Sequence, residues 1–386
     1  MSSLSQNFQY RDPLLVIKNL KIYYKLPWQD LTSSDPPKRV TWYFRPPFLA
    51  PHTVTFQGKD LNRGAERKLQ MEAYKVKIEN KNNQPLVKAV DDVSLNVYRN
   101  SSVVIIGETG CGKTSLLLSI FKLFRSSVSL CSGEINYHSS RDEYVNLLSL
   151  DDYHLNQILG KHMNLILQNP NSALHPLFLV GRQVGEVLEK LSWRQERIRE
   201  RVIEYLGKVA LDQNIGKKHS HQLSGGQAQR VCIASALLAD PQILLGDEPL
   251  KSLDTVTQGQ ILQLLAKLKE ELNFTYMTVT HNLAVARQLA DYIAVMYGGE
   301  IIEIQPTEKF FEDPFHPYSK ALLQATPGFA KPGLPLAEIK GELPSAANWP
   351  SGCKFHPRCP SCKRVCTSKR PPEMQIGEST VKCFFA

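Results

Sequence analysis

Residues 107–114 read GETGCGKT, and they stand between SSVVIIG (101–107) and TSLLLSIFKLF (114–124). The first flank is a short apolar run that reads as a buried strand, and the second has the length and apolar density of a helix. A G-x-x-x-x-G-K-[ST] loop in that strand–loop–helix setting is a phosphate cradle. Gly107, Gly110 and Gly112 let backbone N–H groups curl around phosphate oxygens, while Glu108, Thr109 and Cys111 fill the positions between them. The helix starting near Lys113 aims the positive end of its dipole at the anion. Lys113 is expected to reach the β/γ-phosphates of ATP, and Thr114, followed by Ser115, to bring a hydroxyl to Mg2+.

Downstream, ILLGDEP (243–249) is an apolar strand ending in two carboxylates. Asp247 suits the Mg2+ shell, and Glu248 is placed to polarise an attacking water as general base. An ordinary acidic strand end is the plainer reading, but this strand follows the phosphate loop in the order such NTPases show. Around these two motifs strand and helix patterns alternate. Strands are expected at 14–24, 87–97, 101–107, 243–248 and 275–281, with helical patterns over 183–210, 227–239 and 256–272. The alternation predicts an α/β fold with a largely parallel core sheet. Residues 26–86 are irregular and turn-rich, read as a solvated excursion, or as a docking element built on Trp28, Trp42, Tyr43 and Phe44.

LSGGQ (223–227) opens a helix about 20 residues before the Asp247–Glu248 pair, and here the chain resembles ABC-type ATPase cassettes. Other motifs fall in family order: Gln168 in LILQNP resembles the Q-loop, Ser252–Asp254 the D-loop and His281 in VTHN the switch histidine. Tyr24 matches the aromatic that stacks on adenine. The resemblance implies a RecA-like core sheet with a helical subdomain and an antiparallel β subdomain. It also implies a head-to-tail dimer in which ATP lies between the Lys113 loop of one cassette and Ser224, Gly225, Gly226 and Gln227 of the other, with Asp254 nearby. Gln168 would join the Mg2+ shell and sense the γ-phosphate, and His281 would hold Glu248 and the water in line. Ala228, Gly246 and the LKSLD stretch (250–254) depart from the commonest family pattern without removing a catalytic group.

Eight cysteines are present, and five of them fall at or beyond residue 353. In a reducing compartment such crowding reads as metal binding before disulfides. Four soft thiolates suit iron–sulfur or zinc. FHPYSKALLQATP (315–327) and GCKFHPRCPSCKRVC (352–366), with Cys383, resemble the tail of oligopeptide/dipeptide importer cassettes. That resemblance implies a [4Fe–4S] cluster on Cys353, Cys359, Cys366 and Cys383, with Cys362 as a spare; a zinc site would enlist Cys362, because Cys359/Cys362 supply the one C-x2-C pair. The remaining cysteines read as small apolar residues, and His316 and His356 as packing or surface groups.

The domains expected are a cassette over 14–310, interrupted at about 26–86, and a small Cys-rich tail over 311–386. The net charge of +9 permits nucleic acid or an anionic membrane surface, but no RNA- or DNA-binding motif appears. No run approaches the ~18 apolar residues of a membrane span, and the N-terminus lacks a secretory profile. The expectation is a peripheral ATPase at the cytoplasmic face of a membrane, importing peptides or other small solutes. Its partners would be two transmembrane permease subunits, an extracytoplasmic solute-binding protein and a second, different cassette chain, with no nucleic acid. The alternative is a soluble ABC ATPase acting on ribosome or nucleic acid; such chains generally carry two cassettes or a coiled-coil insert, and neither is seen.

Overall fold

The computed structural model describes residues 12–25, 86–123, 128–141, 143–329 and 337–386. The excursion expected at about 26–86, with Trp28, Trp42, Tyr43 and Phe44, lies outside the described residues but for Leu86.

Twelve strands occur among the described residues: β1 Pro13–Lys25, β2 Leu86–Tyr98, β3 Ser102–Ile106, β4 Val128–His138, β5 Tyr144–Asn146, β6 Met163–Ile166, β7 Ile243–Asp247, β8 Thr275–Thr280, β9 Tyr292–Tyr297, β10 Glu300–Pro306, β11 Met374–Ile376 and β12 Ser379–Val381. They form two sheets. The first is antiparallel in the order β2-β1-β4-β5. The second runs β11-β12-β10-β9-β3-β8-β7-β6, with β9, β3, β8, β7 and β6 parallel and β10, β12 and β11 added antiparallel at one edge.

The parallel strands explain their own composition. Every residue of β3, β7, β8 and β9 is buried. A strand covered on both faces reads as a continuous apolar run. Val103 and Ile105 point into a core shared with the antiparallel sheet, while Val104 and Ile106 point into the opposite core, shared with the helices. Each such side chain contributes roughly 1.5–3 kcal/mol by leaving water. With both faces filled, the C-terminal ends of β3 and β7 are left to present the chemistry.

The stretch expected as one helical segment at 183–210 is two helices, Val180–Lys190 and Gln195–Lys208. Between them Ser192 takes a left-handed conformation with φ 61°, which reverses the chain so that Ile198 and Val202 share a core with Val184 and Leu188. Both helices pack on Gly225–Leu237, the helix that the LSGGQ stretch opens.

The C-terminal tail is built into the main sheet and core. β12 pairs with β10, and Tyr318 and Phe355 are fully buried in the core that holds the helices. The helix Pro317–Gln324 is anchored by Glu303 of β10, a buried carboxylate accepting from the Phe315 N–H (2.6 Å), the His316 N–H (3.0 Å) and the Ser319 hydroxyl. His316 caps that helix through Nδ1, and burial holds its imidazole down at about 3, so it stays neutral and structural, as the sequence suggested.

Candidate nucleotide site and cysteine pocket

The phosphate loop joins the end of β3 to the helix Lys113–Ile120. Gly112, which caps that helix, has φ 109°, and a Cβ there would lie 2.0 Å from the Ala89 carbonyl oxygen; only glycine fits. The Lys113 amine is buried and donates to the carbonyls of Gly107 (2.7 Å) and Glu108 (2.9 Å), inside the curl of the loop. Cys111 is buried behind it, which suits its reading as a filler.

Two strands away, β7 ends at Asp247. The Thr114 hydroxyl donates to Asp247 Oδ1 at 3.0 Å, joining the loop to the acidic strand end. Burial, with the Glu248 carboxylate beside it, pushes Asp247 above the usual carboxylate range. A hydroxyl and a buried, strained carboxylate in contact are a donor set that a divalent cation would relieve, so these residues fit Mg2+.

Glu248 is nearly buried and sits at φ 44°, a left-handed conformation uncommon for a glutamate. The His281 imidazole Nδ1 lies 3.1 Å from one carboxylate oxygen and the Lys251 amine 2.7 Å from the other. Burial alone would raise this carboxyl, but Lys251 and His281 outweigh it and hold it below the usual range. Glu248 is therefore an ionised base at neutral pH, which is the protonation state that water activation needs. Gly246 is explained by its neighbours: a Cβ there would meet the Thr278 hydroxyl at 2.7 Å and the Tyr276 hydroxyl at 3.0 Å. Gln168 follows β6, and its carbonyl lies 3.4 Å from the Ser252 hydroxyl, so the Q-loop and D-loop candidates touch.

Ser224 caps the helix Gly225–Leu237 by accepting from the Gln227 N–H (3.3 Å), and Gln227 Oε1 accepts in return from the Ser224 N–H (3.1 Å). This reciprocal box leaves a helix N-terminus with two glycines at an open groove. Ser252 and Asp254 line the same groove, and no residue of 107–115 does. The structure thus gathers the Lys113 loop, Asp247, Glu248 and His281 in one place and the Ser224 turn with Asp254 in another. Tyr24 stands near the end of β1, registered with Val87 and Val128 and packed against the core of the antiparallel sheet.

Cys353, Cys359, Cys366 and Cys383 line one small pocket with Phe355, Phe384 and Phe385, whereas Cys362 is exposed and outside it. Burial, and the other three thiols around it, push Cys353 up to about 11. Among the described residues no group of three or more His, Cys, Asp or Glu side chains is set to hold a metal ion. Four thiols are nonetheless brought to a single apolar pocket. Cys131 and Cys232 pack, partly buried, against the two cores.

Some residues at these sites escaped the sequence reading. Lys251 on Glu248 carried a signal only as a departure within LKSLD. Tyr318 and Arg358, both bonded to Glu108 of the loop, and Lys354, bonded to Asp91, carried none.

Comparison with known proteins gives a consistent result. Residues 90–251 match the ABC transporter family, and residues 302–366 match the oligopeptide/dipeptide transporter C-terminal region. The chain is 35% identical over 301 residues to the dipeptide transport ATP-binding protein DppD of Caldanaerobacter subterraneus, covering 77% of this chain and 91% of that one. It is 34% identical over 297 residues to the oligopeptide transport ATP-binding protein AppF of Bacillus subtilis, covering 76% and 88%. Among solved structures it resembles the dimeric bacterial ABC transporter cassette MJ0796, with a TM-score of 0.51 and 32% identity over 59% of this chain and 94% of that one.

Proposed function

The chain belongs to the ABC transporter family, in its oligopeptide/dipeptide branch, and it is an ATP-binding and ATP-hydrolysing importer subunit; from that premise we propose how its residues divide the work. The observation that carries the reading is the constellation Thr114–Asp247 and Glu248–His281 at the mouth of the Lys113 loop.

In this reading Lys113 and the N–H groups of 107–115 hold the β- and γ-phosphates of ATP. Thr114, Asp247 and Gln168 would hold Mg2+, which when bound would supply charge neutralisation to the phosphates. Glu248 takes the proton of the attacking water, and His281, bonded to it, keeps its carboxylate aimed. Tyr24 stacks on adenine. The Ser224 turn and Asp254 face the γ-phosphate of a neighbouring cassette, so ATP closes the pair and hydrolysis releases it. The separation of the Ser224 groove from the Lys113 loop within one chain supports this two-chain site. Leu177, Phe178 and Leu179, exposed just beyond Gln168, are an apolar place for a membrane subunit to rest. The cassette then spans 14–310 and the tail 311–386. It works at the cytoplasmic face of the membrane with two permease subunits, a solute-binding protein and a second, different cassette.

Four of the tail cysteines would hold a [4Fe–4S] cluster. Four soft thiols lining one apolar pocket, with the exposed Cys362 left out of it, support that ligand set. The cluster would staple the tail. Cys353→Ser or Cys383→Ser in anaerobically purified protein should abolish the visible thiolate–iron absorption and the bound iron. A colourless wild type with stoichiometric zinc would overturn the cluster.

The function itself is tested in vesicles carrying the chain with its membrane subunits and partner cassette. Labelled peptide should accumulate only when MgATP is on the cassette side. Peptide uptake indifferent to ATP would refute it.

A further inference from the structure

The phosphate loop is held from outside the cassette motifs. Every polar group of Glu108 has a partner. Its carbonyl accepts from Lys113 (2.9 Å), and its N–H donates to the Tyr318 hydroxyl (3.0 Å). Its carboxylate accepts a two-pronged contact from Arg358, at 2.7 and 3.0 Å. Tyr318 and Arg358 both belong to the tail, 210 and 250 residues away in sequence. The Arg358 side chain is only 4% exposed, and its remaining donors reach the carbonyls of Lys340 (3.1 Å) and Ile339 (3.3 Å). Leu343, from the same tail, approaches Gly110 of the loop. A fork fixed this way at both ends is a rigid clasp, because guanidinium and carboxylate match as two parallel hydrogen bonds.

We propose that the C-terminal tail is part of the ATP site: Arg358 is a positioning residue that neutralises and aims Glu108, so that tail order sets nucleotide affinity. This rests on the reading that the 107–114 loop binds ATP. The physical need is plain. Glu108 places a carboxylate in a loop that must receive a triphosphate carrying about four negative charges, and an unpaired carboxylate there repels it. Pairing with Arg358 cancels that charge and fixes the peptide whose carbonyl partners Lys113. Tyr318 pins the preceding peptide, accepting from the Glu108 N–H. The tail motifs HPYS (316–319) and HPRC (356–359) thus deliver their Tyr and Arg to one loop residue.

The test is nucleotide binding and steady-state ATP hydrolysis by the full chain with its partner cassette. Arg358→Met should weaken ATP binding and raise KM about tenfold, while kcat at saturating ATP stays within about twofold. Glu108→Gln/Arg358→Met removes the repelling charge as well and should recover most of the lost affinity, which a merely structural arginine would not allow. Should Arg358→Met not fold, Arg358→Lys keeps the charge without the fork and must lie between wild type and the expected loss. Unchanged ATP affinity in Arg358→Met, or a double variant as weak as the single, overturns the proposal while wild-type hydrolysis still stands. A wild type that neither binds nor hydrolyses ATP instead overturns the function on which it rests.

Discussion

Glu248→Gln is expected to lower ATP turnover by at least about a hundredfold and to leave the chain trapped with ATP in a two-cassette complex. A positioned general base contributes roughly 10²–10⁴ to rate, and the carboxylate beside it cannot take over, because Asp247 is engaged by the Thr114 hydroxyl. Glutamine has the same size, keeps an oxygen for the His281 contact, and leaves Lys113 and the loop untouched. Binding therefore survives and only the proton acceptor is lost. The variant also ends the ion pair with Lys251, now 2.7 Å from the carboxylate. That pair sits partly exposed on the lysine side, so its loss should cost little in stability. With its partner cassette present, phosphate release from this chain's site should fall to background, while gel filtration with MgATP should show a stable two-cassette complex with ATP in it. Turnover within fivefold of wild type would remove Glu248 from the role of base.

How much of this was readable beforehand divides by range. The phosphate loop, the Asp247–Glu248 strand end and the capped LSGGQ helix are legible because each is a contiguous motif, its proposed phosphate or metal groups only a few residues apart. The buried parallel strands were legible for the same reason, since continuous apolar runs are the mark of a strand covered on both faces. The break at Ser192 was not, because neither glycine nor proline stands there and the apolar spacing continues through it. β11 and β12 are three residues each, too short to show a period, so the tail looked self-contained when it in fact extends the main sheet. The clasps are least legible of all. Arg358 meets Glu108 and Lys354 meets Asp91 across 250 and 263 residues, and no local pattern announces such a meeting.

Lys354→Met is expected to destabilise the protein by about 3–5 kcal/mol, the cost of removing one partner from a buried ionic group. The Lys354 amine lies 2.7 Å from Asp91, 2.9 Å from Glu300 and 2.7 Å from the Gly298 carbonyl, with its side chain and that of Asp91 each only 3% exposed. Methionine fills similar space, so the loss is electrostatic: two buried carboxylates would keep only Arg370, more than half exposed, as a cation. The pH dependence separates this from a packing defect. Burial would raise the Asp91 carboxyl, but contacts from Lys354, the Tyr23 hydroxyl and Arg370 outweigh it and bring it down from 3.8 to about 2. A depressed carboxyl contributes stability that is complete above its unfolded value and is lost as pH falls towards the folded one. That contribution is about 2 kcal/mol, fading between pH 3.8 and about 2. In Lys354→Met the buried carboxyl takes up its proton at higher pH, so acid relieves the variant while it weakens wild type. Urea titrations should show the gap between them narrowing from pH 7 to pH 4. A gap that holds constant, or widens, would mean that Lys354 acts through shape alone. Because the Gly298–Glu300 turn also braces the phosphate loop, through the Gly299 N–H on the Cys111 carbonyl at 2.9 Å, the same variant should weaken ATP binding together with stability.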